Sequence, residues 1–118
     1  MPLSPAADWS FGSGMTSPTR SNAPIPFREP DIAAAPAVPG VYFLSRGYRV
    51  IFIGVATDGT TIREQLLRHL RGERGPCTRA ASEFEYDSSP NPRALYEYYL
   101  KNYGSRTHGL LPECNERD

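Results

Sequence analysis

Apolar residues crowd into two runs near the middle of the chain, residues 40–45 and 49–55, on either side of Arg46-Gly47-Tyr48. β-Branched and aromatic residues flanking a glycine-bearing turn predict a hairpin. Both alternating sets are apolar: Tyr42, Leu44, Val50 and Phe52 on one, Val41, Phe43, Ile51 and Ile53 on the other. A sheet covered on both faces follows. Residues 58–61 supply turn and capping chemistry, and Ile62, Leu66, Leu67 and Leu70 then recur at helical spacing. They predict a helix to about Arg71, ended by Gly72, and a loop over 72–81. Glu83-Phe84-Glu85-Tyr86-Asp87 alternates and predicts a third strand. After the turn at 88–91, Asn91 caps a second helix with Pro92 at its first position; Gly104 stops it. Leu95, Tyr96, Tyr99, Leu100 and Tyr103 are its core-facing set. The order β-β-α-β-α predicts an α+β domain, a three-stranded antiparallel sheet flanked by helices.

Composition sets the boundary. Residues 1–30 are rich in Pro, Ser, Ala and Gly, and eight of the 12 prolines precede residue 40. Such a segment buries too little apolar area to offset its ordering entropy, so 1–30 is predicted to be a disordered tail and 31–118 the domain. A chain of 118 residues suffices for one modest core. Two cysteines make no disulfide framework, and no run resembles a signal peptide or a membrane span. The expectation is a soluble, cytoplasmic protein with no membrane partner.

The 13 basic and 13 acidic residues balance, which excludes a strongly basic field over the whole protein. Their placement is uneven. Residues 61–80 hold Arg63, Arg68, Arg71, Arg74 and Arg79 against Glu64 and Glu73, and Lys101 is the sole lysine. A guanidinium donates two parallel hydrogen bonds to phosphate; the same residues also suit a solvated helix face.

Two glycine-bearing triplets, Gly40-Val41-Tyr42 and Phe52-Ile53-Gly54, place their aromatic residues ten positions apart. Ile62-Arg63-Glu64-Gln65-Leu66-Leu67-Arg68-His69-Leu70, Glu97-Tyr98-Tyr99-Leu100 and Leu111-Pro112-Glu113-Cys114-Asn115 follow in order. From Pro39 to Asn115 the chain resembles the GIY-YIG nucleases. The resemblance implies hydrolysis of DNA phosphodiesters with Mg²⁺ or Mn²⁺. It implies Glu97 on the metal, Tyr42 and His69 around the attacking water, and Arg63 or Arg68 at the phosphate. Arg71, Arg74, Arg79 and Asn115 would contact nucleic acid. Two positions depart from the family pattern: Phe52 replaces the second motif tyrosine, and Gln65 occupies the column of the catalytic arginine. The first loses a hydroxyl and the second a fixed positive charge, both of which transition-state stabilisation uses. An alternative is therefore a catalytically inactive derivative that binds nucleic acid or protein.

The resemblance requires Tyr42 and Phe52 on one face. A three-residue loop through Tyr48, pairing Tyr42 with Phe52, is the expected register. It also requires Tyr42, His69 and Glu97 to converge. A rival set, His69, Cys77, His108 and Cys114, has zinc-type ligands at spacings that match no recognised finger.

Overall fold

The computed structural model describes residues 21, 23–57 and 59–115. Along the chain these form β1 (Ile25–Pro26), α1 (Glu29–Ala33), β2 (Gly40–Arg46), β3 (Arg49–Ala56), α2 (Ile62–Leu70), α3 (Pro76–Arg79), β4 (Glu83–Ser88) and α4 (Pro92–Arg106). The strands make one antiparallel sheet in the order β1-β4-β2-β3. The α+β class is as expected, with four strands instead of three, and the region expected to be a loop contains α3. No helix among the described residues is long and apolar enough to cross a membrane.

The fourth strand moves the expected boundary at residue 30. Residues 1–20 lie outside the described part, but Ile25 and Pro26 pair with Phe84 and Glu83. The Phe27 amide donates to Ser82 O at 3.0 Å, the Ser21 amide to Tyr86 O at 3.0 Å, and the Phe27 ring is buried. Pro26 is tolerated because β1 is an edge strand. Two paired residues in a proline-rich stretch leave no periodicity for a sequence reading to find.

The hairpin also differs from the expected register. Its turn is Gly47-Tyr48, closed by Arg46 opposite Arg49. A bulge then shifts the pairing between Leu44 and Ser45, so that Leu44 faces Phe52 and Tyr42 faces Gly54. The extra residue, Ile51, puts Phe52 on the Tyr42 side after all and moves Val50 to the other. The glycines of the two triplets have steric reasons. A Cβ on Gly54 would fall 2.2 Å from Tyr42 Cζ, because the tyrosine ring lies across it. A Cβ on Gly40 would fall 2.5 Å from the Asp87 carbonyl oxygen.

One face of the sheet is dry. Tyr42, Leu44, Phe52, Ala56 and Phe84 pack there with Ile32 of α1, Ile62 and Leu66 of α2, and Cys114. Each large apolar side chain buried in this layer contributes roughly 1.5–3 kcal/mol. The segment before β2 seats α2 on it. Val38 O and Pro36 O accept from the Ile62 and Arg63 amides, and Thr61 Oγ1 accepts from the Glu64 amide at 3.0 Å. Those bonds satisfy donors that a helix start leaves open.

Helix α4 covers the other face. Tyr99 meets the Phe43 ring edge-on with centroids 4.8 Å apart, and its hydroxyl donates to buried Asp87 Oδ2 at 2.6 Å. The five expected core-facing residues of α4 are half-buried, none fully. Gly104 does not end the helix, which runs on to Arg106.

Candidate functional site

At the centre of the dry face stands an aromatic–imidazole cluster. His69 sits in the last turn of α2, on the same edge as Gln65 one turn earlier, and both are buried. Its Nε2 is 2.9 Å from the Tyr42 hydroxyl, and its Nδ1 is 2.8 Å from Thr78 Oγ1 on α3. A neutral imidazole donates at one nitrogen and accepts at the other, and two hydroxyls complete either tautomer. The His69 ring also lies 4.9 Å from Phe52 and 5.5 Å from Tyr42, centroid to centroid. Burial, and secondarily the Arg74 charge, pushes its pKa down from 6.5 to about 4. The ring is thus neutral at physiological pH.

Tyr42 and His69 are 1% and 0% exposed. A water to be activated between them would have to enter a packed layer. The Phe52 ring abuts His69 inside the core, where the extra polar atom of a tyrosine would need a partner. Gln65 turns its amide oxygen to the Arg74 guanidinium, which donates at 3.2 Å. A positive charge is therefore supplied next to Gln65 by a residue nine positions later.

The remaining arginines sort by location. Arg63 is half-buried, and its Nε donates to Ala35 O at 2.8 Å, so it anchors the segment between α1 and β2. Arg68 is exposed and paired with Glu64 at 3.4 Å. Arg71, Arg74 and Arg79 are exposed around the C-terminal end of α2; Arg79 folds back to donate to Leu70 O at 2.9 Å. Arg71 approaches Glu73 only at 4.0 Å.

Glu97 does not join the cluster. It is exposed on α4, the helix on the opposite face of the sheet from α2. Tyr99 two residues on faces the sheet, and two residues turn a helix by about 200°, so Glu97 points outward. The expected convergence of Tyr42, His69 and Glu97 therefore fails for the carboxylate. A Mg²⁺ ion held between Glu97 and the Tyr42–His69 pair does not fit these residues.

Asn115 is committed to backbone. Its Oδ1 accepts from the Ile53 amide at 2.8 Å and its Nδ2 donates to Ile53 O at 2.9 Å, which imitates a further strand on the free edge of β3. The two bonds fix its amide head against the edge of β3 and leave one of its two N–H donors unspent. The zinc alternative is corrected as well. Cys77 and Cys114 form a disulfide with Cα atoms 5.7 Å apart, both His69 nitrogens are engaged, and His108 is exposed. Sequence reasoning missed Thr78, whose hydroxyl completes the His69 pair from within an expected loop. It also missed Glu113, which clusters with the two cysteines. A lone threonine and a lone glutamate carry no signal of either role. The chain matches no protein-family model, no curated protein and no solved structure.

Proposed function

We propose that this chain is a GIY-YIG-like module that binds nucleic acid through its arginine face and does not cut it. The observation that carries this reading is the burial of the Tyr42–His69 pair beneath an exposed arginine cluster, with Glu97 on the other side of the sheet. A scissile phosphate needs its activated water and its metal on one accessible surface. A bound phosphate needs only donors. Arg71, Arg74 and Arg79 offer these at the end of α2, and DNA is the expected partner.

The test is fluorescence anisotropy on a labelled duplex, with a supercoiled-plasmid nicking assay beside it. Three arginines neutralising three phosphates give an affinity that falls about 40-fold between 50 and 200 mM salt. Replacing Arg71, Arg74 and Arg79 with alanine should remove most of that slope. Nicking with Mg²⁺ or Mn²⁺ should not exceed that of a Glu97→Ala control. Salt-insensitive binding would contradict the arginine face.

A second reading, metal-dependent cleavage of DNA, is favoured by the Tyr42–His69 hydrogen bond, which joins two groups of the resembled site. Nicking lost in both His69→Gln and Glu97→Ala would establish it.

A further inference from the structure

The C-terminal segment is fastened to the sheet at several points. The Cys114 amide donates to Ile51 O at 2.8 Å, Asn115 brackets Ile53, Pro112 is buried, and Glu113 pairs with Arg49 at 2.9 Å. Cys77 is held from the other side. Its neighbour Thr78 bonds His69 at 2.8 Å, and Arg79 bonds Leu70 O at 2.9 Å. Each of these contacts is made by atoms other than the two sulfurs. Breaking that bond would leave two thiols facing each other on separately anchored backbones.

One ligand atom from each of Cys77, Glu113 and Cys114 lies within 4.8 Å of the others. Cys77 is half-buried, Cys114 is buried and Glu113 is exposed, so the group opens to solvent on the carboxylate side. We propose that Cys77, Cys114 and Glu113 form a redox-gated site for a thiophilic divalent cation, Zn²⁺ in chemistry: a disulfide when oxidised, a metal site when reduced.

The donor set is two soft sulfurs and one carboxylate oxygen, which suits Zn²⁺ with water in the fourth position and is wrong for Mg²⁺. Sulfurs about 2.3 Å from a tetrahedral zinc stand roughly 3.8 Å apart. Side-chain rotation on Cα atoms 5.7 Å apart reaches that separation. The steps balance. A dithiol reductant supplies two electrons and two protons; the S–S bond breaks, two thiols form, and the reductant closes into its own disulfide. The two thiol protons then pass to solvent, each thiolate donates a lone pair to the cation without change of oxidation state, and the Glu113 carboxylate leaves Arg49 to complete the set. The same two sulfurs serve both states, so cross-link and metal exclude each other.

The experiment uses the full chain with Co²⁺ and Zn²⁺ as the only added ligands. Reduced with a phosphine and desalted without oxygen, it should bind one Co²⁺ with thiolate-to-cobalt charge-transfer absorption and tetrahedral d–d bands. One equivalent of Zn²⁺ should bleach both. The oxidised chain should show neither. Cys77→Ser and Cys114→Ser should each lose at least half of the charge-transfer intensity. Glu113→Gln should keep it but bind Co²⁺ at least tenfold more weakly, and His108→Ala should change nothing. Circular dichroism of the reduced, metal-free chain should retain the folded spectrum. The proposal is overturned if the reduced chain stays folded without cobalt–thiolate absorption. Unfolding on reduction would overturn it too, as would Glu113→Gln binding like the parent.

Discussion

The two faces of the sheet obey different rules. On the α2 side, Tyr42, Leu44, Phe52, Phe84, Ile62, Leu66 and His69 form a closed layer in which polar atoms have partners. On the α4 side, half-buried tyrosines and leucines lie over Phe43 and Asp87, and Glu97 looks outward. The residues that resemble a catalytic set are divided between these faces. The contrast teaches that residues resembling a catalytic set can each have a packing reason of their own. Tyr42 must lie across a glycine, and His69 must be met by two hydroxyls, whether or not a reaction takes place there.

The largest difference should appear on truncation. Leu66→Ala, within the closed layer, should cost about 3–4 kcal/mol, and Leu95→Ala on α4 about 1 kcal/mol, as read by urea unfolding. Equal losses would erase the distinction between the faces. Next in size is the pH response. His69 titrates near 4 in the fold against 6.5 in the unfolded chain, so between those values the unfolded chain binds more protons. Its contribution is therefore full above pH 6.5 and is lost as pH falls through 4, a change of about 3 kcal/mol. Unfolding free energies measured across that window should show the loss, and His69→Gln should flatten it. Gly54→Ala follows, at about 2 kcal/mol, because the methyl group displaces the Tyr42 ring. The thermal midpoint of that variant measures it. Smallest is Glu97→Ala, which should change stability by less than about 0.5 kcal/mol.

What the sequence made legible follows the same division. Period-two and helical stripes located β2, β3, β4 and α2 to within a residue or two and the start of α4, because each has apolar residues at regular intervals, while the end of α4 ran past Gly104 to Arg106. The facing of α4 was less legible. Tyrosines at 96, 98, 99 and 103 spread around the helix, so only packing against Phe43 selects the inner side and turns Glu97 out. The bulge at Ile51 and the pairing of β1 leave no local mark. Two cysteines 37 positions apart specify neither a bond nor its absence, and the Asn115 bracket on Ile53 depends on a return of the chain that spacing does not encode.

The central claim is that His69 is a neutral, sealed core residue held by Tyr42 and Thr78. The most direct measurement is a proton–nitrogen NMR titration of the two imidazoles in the full chain, with and without Mg²⁺ and a DNA duplex. His69 should titrate near 4, with shifts unmoved by metal or DNA. A His69 pKa near 6.5, or imidazole shifts that follow added Mg²⁺ and DNA, would contradict the claim and return the ring to an open active site.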